Sequence, residues 1–250
     1  MTRRARTGLF AAAAAVLGVV LVAGLTGLPD FGHYRGPYGN VLNDLAVAQR
    51  HATDIVTAIN FDYRAFDTMG EEFILFASVV GVMLLLREMR GEHEEPERGE
   101  ADDHHFAGGS EALRALSLLL VGPVVVLGIY VVTHGHLTPG GGFQGGLVLA
   151  AGPLLVFVAG GYLALTRVAP HSMVELGESA GAAGFALIGV GGLVFAGTFF
   201  KNFIALGAPG RLLSAGTMPV ASIAVGFEVT GAFLLVWAEL MDQALLVRGE

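Results

Sequence analysis

ALSLLLVGPVVVLGIYVVTHGHLTPGGGFQGGLVLAAGPLLVFVAGGYLAL, residues 115–165, holds no Asp, Glu, Lys or Arg. It reads as two apolar runs, Ala115–Thr133 and Phe143–Leu165, around a glycine-rich break. A helix needs about 20 mainly apolar residues to cross a hydrocarbon core of roughly 30 Å, and each run meets that length. Working outward, Gly8–Leu28, Ser179–Phe200 and Pro219–Trp237 read the same way. A sixth run, Phe73–Leu86, is shorter, fourteen residues, or about 21 Å at 1.5 Å per residue. Its helix is therefore expected to begin near Asp67–Gly70, drawing Glu71 and Glu72 towards the hydrocarbon boundary. Carboxylates in a first turn are favoured by the helix dipole. The predicted fold is an all-α membrane protein with about six transmembrane helices.

Composition agrees. Hydrophobic residues make up 54% of the 250 and charged residues 14%, against roughly 25% charged in an average globular chain. Mean hydropathy is +0.65. The absence of Cys excludes disulfides, thiolate metal sites, iron–sulfur clusters and a Cys nucleophile. A net charge of −8 argues against nucleic acid, since a phosphate-tracking surface needs an excess of Lys and Arg.

Arg3, Arg4 and Arg6 precede the first run, a pattern shared with cleavable signal peptides. The length of the run and the membrane character of the rest favour a retained span. Residues 29–70 form a polar excursion. Within it, Ile55, Ile59, Tyr63 and Phe66 follow Thr53–Asp54 at helical spacing, predicting a short N-capped amphipathic helix at the interface. Residues 88–110 crowd eight acids with Pro96 and Gly99, the composition of a solvated linker. The chain thus divides into a two-span front module (1–90), an acidic linker (91–110) and a four-span back module (111–250). Most Lys and Arg fall on one side of the alternating loops, which places termini and linker in the cytoplasm and the glycine loop outside.

Glu228 lies at the centre of the last span, with nine uncharged residues on either side. A charged acid there costs roughly 2.5–3.5 kcal/mol on insertion scales, so it must be protonated, paired or facing a wet interior. It is read as a proton- or cation-path carboxylate, or else as a neutral acid bonding a neighbouring helix. Asp62, Arg64, Asp67, Glu71 and Glu72 form a second cluster at a membrane boundary. They suit an ion entrance built from hydrated oxygen ligands, or an interfacial cap in which Arg64 pairs with Asp67 at i,i+3. Glu175 and Glu178 read as ordinary boundary charges, and Lys201 as a snorkelling helix end.

The glycine loop lacks the preceding strand and following Lys-Ser/Thr of a phosphate loop. His134 and His136 are too few for a metal, which generally takes three or four protein ligands. They remain candidate proton relays. Pro139 is expected to stop one helix, while Gly140, Gly141, Gly142, Phe143, Gly145 and Gly146 allow close helix packing, including packing against other subunits. No nucleophile, metal or cofactor motif appears, so covalent catalysis is not expected.

The stretch His134-Gly-His-Leu-Thr-Pro-Gly-Gly-Gly-Phe-Gln-Gly-Gly146, with Asn202-Phe203, Leu206-Gly207 and Gly226-Phe-Glu-Val229, resembles the B subunit (MnhB-type) of multi-subunit Mrp-type sodium/proton antiporters. The front stretch Asp62-Tyr-Arg-Ala-Phe-Asp-Thr-Met-Gly-Glu71 is similar to the E-type module at the end of the large A-type antiporter subunit. Related pieces belong to membrane-bound hydrogenases and respiratory complex I. The resemblance implies a cell-membrane hetero-oligomer exchanging Na⁺ for H⁺, with large A- and D-type antiporter-like subunits and small subunits as partners and the lipid bilayer around it. It places Asp62, Arg64, Asp67 and Glu71 on the E-type ion route, and Pro139–Phe143 in the B-type signature. Tyr63, Lys201 and Ala205 depart from the usual residues. The alternative is a structural adaptor of an energy-converting redox complex with no transport role of its own. A linker of about twenty residues has a root-mean-square reach of about 25 Å, so the two modules must be near neighbours.

Overall fold

The computed structural model describes residues 3–28, 36–91 and 110–248. The acidic linker, apart from its two end residues, lies outside the described residues. The chain is all-α. Its helices are α1 (Arg3–Thr26), α2 (Pro37–Arg50), α3 (Ile55–Ala58), α4 (Ala65–Gly91), α5 (Glu111–Thr133), α6 (Gly142–Val168), α7 (His171–Ala196) and α8 (Met218–Arg248). A π-helical turn, Ile59–Tyr63, joins α3 towards α4. Among the described residues six helices are long and apolar enough to cross a membrane: α1, α4, α5, α6, α7 and α8. The chain divides into two units, Met1–Val41 and Leu42–Glu250. In the first, the described side chains of α1 are exposed apart from the position of Gly18, which is half-buried.

In the second unit α8 is the axis. Of its membrane-length segment 61% is buried, against 22% or less for each of the other spans. It packs against α4, α5, α6 and α7, while α5 and α6 form the most extensive pair. Lipid tails are as apolar as Leu, so helices in a bilayer associate through close packing and small residues more than through burial itself. The contacts follow that rule. A Cβ on Gly142 would strike Ser222 O and lie 2.7 Å from Val225 Cβ; one on Gly146 would lie 2.8 Å from Gly226 O. Gly181 of α7 leaves room for the main chain of Ala224 and Glu228 in the same way. Thr230 Oγ1 donates to Gly146 O (3.1 Å), and Ser222 Oγ to Val132 O (2.7 Å), tying α8 to its neighbours.

Several expectations about local structure need correction. Part of the polar excursion is a helix: α2 opens with Pro37, whose fixed φ and missing N–H suit a first helical position. Its Leu42 and Ala46 are buried. The amphipathic segment does start at Asp54, whose Oδ1 accepts from Thr57 N at 2.7 Å. Its buried face is a different one, however. Ala58 before the π turn and Phe61 within it are buried, and beyond the wider turn Ala65 is buried while Phe66 is exposed. Phe61 meets Phe185 of α7 edge-on at 5.9 Å, so this segment is part of the protein core. Helix α4 begins at Ala65, slightly earlier than expected, and α7 at His171, a full two turns earlier. Helix α5 ends at Thr133, well before Pro139, and His134 N closes its last turn onto Tyr130 O.

After α7 the chain reverses at Gly197, in the left-handed region (φ 76°), and folds back along the glycine face of α7. Phe200 N donates to Gly189 O at 3.1 Å, and the Phe200 ring lies tilted against Phe185 with centroids 5.0 Å apart. Exposed Lys201 lies in this returning segment, not at a helix end.

Candidate functional site

Three carboxyl side chains from three helices converge within the membrane-spanning bundle. Glu72 of α4 is 5% exposed, Glu228 of α8 is 0% and Glu178 of α7 is 4%. The Glu72 and Glu228 carboxyls are neighbours, and Glu178 of α7 is close enough to act on Glu228 as well. Both oxygens of Glu228, Oε2 of Glu72 and Oε1 of Glu178 have no hydrogen-bond partner of good geometry. Buried charge without a partner is among the least favourable arrangements a protein can hold. Neighbouring carboxyls escape that cost only when they are neutral or when water reaches them.

Small residues make this convergence possible. Gly181 lets α7 approach the Glu228 main chain, and Gly231 lets α8 approach Glu178, where a Cβ would lie 2.6 Å from Glu178 Cβ. A cavity of about 230 Å³ reaches Glu72. Its wall includes Thr57, Asn60, Thr68, Glu71, Gly141 and Gln144, so it is polar enough to hold water. Thr68 Oγ1 donates to Asn60 O at 2.8 Å, holding α4 against the π turn at the cavity's edge.

The other acids expected at an ion entrance are placed differently. Asp62, in the π turn, pairs through Oδ1 with Arg50 Nε, and Asn202 Nδ2 approaches its Oδ2 at 3.4 Å. Burial pushes the Asp62 carboxyl above its usual range, against the pull of the Arg50 guanidinium and the Asn202 amide. Asn202 also donates to Ala215 O (3.0 Å) and accepts from Thr217 N (3.1 Å), so Asp62 fastens the front segment to the start of α8. Arg64 and Asp67 form the anticipated i,i+3 pair, with Nε donating to Oδ2 at 2.6 Å, and both are about half exposed. Glu71 is exposed on the cavity's rim and Glu72 is inside. The structure thus brings together Glu72 and Glu228, with Glu71 on the approach, and sets Asp62, Arg64 and Asp67 apart.

The glycine loop docks on the start of α3. Thr53 N and Asp54 N both donate to His136 O (3.0 and 3.2 Å), and Thr57 Oγ1 donates to Gly135 O at 2.6 Å. Gly142, Gly145 and Gly146 make their close approaches within this chain, to α8 and α5. Phe143 is 42% exposed and lines the cavity; Pro139 is exposed and Gly140 partly so. The His134 ring stacks on Tyr130 at 4.2 Å. His136 is fully buried, with the main-chain groups of Arg211 and Leu212 beside its ring. Neither histidine reaches the carboxyl set among the contacts described.

Burial pushes the His136 imidazole below its ordinary value of 6.5. Folded chain therefore binds fewer protons than unfolded chain just below pH 6.5. The stability His136 contributes is complete above that pH and is lost as pH falls through the window. Amide exchange at Thr53 and Asp54, corrected for intrinsic rate, is expected to accelerate on acidification below pH 6.5. In His136→Phe that acceleration should vanish; its persistence would place the acid sensitivity elsewhere.

A family model described as a domain related to the MnhB subunit of Na⁺/H⁺ antiporter matches residues 112–235. An uncharacterized protein of Methanocaldococcus jannaschii is 32% identical over 213 residues, 78% of this chain and 81% of that protein. The chain belongs to the MnhB-related family. Within it, a probable K⁺/H⁺ antiporter A/B protein of Rhizobium meliloti is 30% identical over 217 residues, 77% of this chain but 21% of that protein. A chain of the membrane-bound sulfane sulfur reductase, an archaeal respiratory membrane complex, superposes with a TM-score of 0.70 at 28% identity, covering 94% of this chain and 97% of that one. A chain of the Mrp complex from Dietzia sp. has the same TM-score at 25% identity, covering 96% of this chain and 26% of that one. This MnhB-like chain is a multi-pass plasma-membrane protein related both to Mrp-type antiporters and to an energy-converting redox complex.

Sequence reasoning missed Glu178, Arg50 and Asn202 as members of these constellations. Glu178 carried a readable signal, standing seven residues after His171 and three before Gly181 on one helical face. Among the described residues, no group of three or more His, Asp or Glu side chains is placed to hold a metal ion.

Proposed function

We propose that this chain is a B-type membrane component of a redox-linked, energy-converting complex, fused to an E-type front module. In this reading residues 1–90 are the E-type part, 91–110 the cytoplasmic linker and 111–250 the B-type part. The fusion holds the two units side by side among large antiporter-like subunits. Glu71, Glu72 and Glu228 exchange protons with water in the cavity. Arg64 and Asp67 form a half-exposed pair apart from the cavity wall, and Asp62 positions the π turn beside it.

The observation that carries the redox-linked reading is the likeness to the sulfane sulfur reductase chain. The chain and its sulfane sulfur reductase counterpart coincide over nearly the whole of both. The matching Mrp chain, by contrast, continues far beyond the region of likeness. A second reading, an antiporter component moving Na⁺ or K⁺ against H⁺, is favoured by the Rhizobium meliloti relative.

Purification in mild detergent separates the two. The expected result is one complex holding antiporter-like subunits together with redox subunits. A complex of antiporter-like subunits alone, with cation-dependent collapse of a pH gradient in vesicles, would replace the first reading by the second.

A further inference from the structure

Glu178 belongs to a longer row. His171, Glu175 and Glu178 stand at i, i+4 and i+7 on α7, one above another on a single face. Antiparallel packing sets this face against α8, with Gly181 beside Glu228, Glu178 beside Gly231 and His171 Nε2 3.8 Å from Glu239. His171 Nδ1 also lies 3.4 Å from Glu175 Oε1. Glu228 and Glu239 are eleven residues apart on α8, about 16 Å along the helix. The row therefore runs from the buried carboxyls to the membrane end where α6 passes into α7, opposite the glycine loop.

Side chains that merely cap a helix boundary would be wet. Glu178 and Glu239 are instead buried, and the row is exposed only at its far end, where His171 and Glu175 are each 49% open. The cavity at Glu72 lies towards the glycine loop, whose Gly140 and Gly141 line it. Glu228 itself is fully buried, beside Glu72 and within electrostatic reach of Glu178. The geometry points to a second proton connection for Glu228, an outlet through Glu178 and Glu175 to His171 and Glu239 at the opposite surface. This inference rests on the proton-bearing role proposed for Glu228.

In each transfer one proton passes from a carboxylic acid to the neighbouring carboxylate, so the charge of the pair is unchanged. The last acceptor is the His171 ring or the Glu239 carboxylate beside it, which releases the proton to water. Glu72 serves the cavity side and Glu178 the other, so a proton on Glu228 can be loaded from one face and discharged to the other.

The test uses the intact complex in liposomes and infrared spectroscopy. The protonated-carboxyl band that disappears in Glu228→Gln identifies the group, and transfer to D2O times its exchange. In Glu72→Gln the cavity side is closed and exchange should continue through Glu178. In Glu72→Gln with Glu178→Gln it should slow by about tenfold or more, the scale on which loss of a positioned proton-transfer group acts. Equal rates in the single and double variants would overturn the outlet while leaving the proton on Glu228. Absence of any band lost in Glu228→Gln would overturn the proton-bearing role itself, a different failure. Where the double variant does not assemble, Glu72→Gln with Glu175→Gln puts the same question at a half-exposed side chain, with slowing or equality read the same way.

Discussion

Glu228→Gln is expected to reduce proton movement by the assembled complex by about a hundredfold, within the range seen when a positioned proton-transfer group is removed. The amount of complex on a native gel should stay unchanged. Gln keeps the volume of the side chain and removes its ability to gain or lose a proton. Little structural loss is expected, because a Gln amide can still hydrogen-bond the Glu72 carboxyl beside it. The energetics even point slightly the other way, since a buried group that can ionise is replaced by one that cannot. The measurement is dye-reported pH-gradient formation or collapse in vesicles, scaled to complex content. Had the acid only glued helices together, activity per complex would survive and assembly would fall. That outcome would leave the chain an adaptor without a proton site.

Gly142→Val and Gly146→Val are expected to remove nearly all folded chain. The atoms that a new side chain would meet are main-chain atoms of α8, Ser222 O and Gly226 N at Gly142 and Gly226 O at Gly146, which cannot swing aside as a flexible side chain can. Helices α6 and α8 would have to part, and the positions holding Glu228 beside Glu72 would part with them. Overpacking of a filled core typically costs about 1–3 kcal/mol and more where backbone must move, enough to exhaust a marginal membrane domain. Gly122→Ala and Gly81→Ala are the controls. No atom lies within 4 Å of a Cβ at either position, and yields should match the parent chain. Fluorescence-detected size exclusion in detergent reads all four. Normal yields in Gly142→Val would show that α6 and α8 do not approach this closely.

The spans were legible because each is an uncharged run long enough to cross a bilayer, and Glu228 stood out because its neighbours are apolar on both sides. The early start of α4 followed from the same length argument, since fourteen residues could not reach across. The Asp54 cap and the Arg64–Asp67 pair are local, and local chemistry reads directly from spacing. What stayed hidden depends on partners distant in sequence. The buried residues are Ala58, Phe61 and Ala65 rather than the set Ile55, Ile59, Tyr63 and Phe66, and nothing in a 3.6-residue period announces the π turn among them. Glu178 looked like a boundary charge because α7 was expected to start after it. With α7 beginning at His171 the same residue lies two turns inside the helix and against α8. The role of Asn202 was legible only as a motif, because its partners Asp62 and Thr217 are far apart in the chain.

The most direct measurement exploits the chain's lack of cysteine. Glu71→Cys and Gln144→Cys, placed singly on the cavity wall of the otherwise native complex in sealed vesicles, are treated with a charged, membrane-impermeant thiol reagent. If water in the cavity reaches Glu72, and through it Glu228, both positions are labelled rapidly, and from the glycine-loop side alone. Labelling only by lipid-soluble reagents would show that the acids are sealed from water, and the chain would then hold its complex together without passing protons.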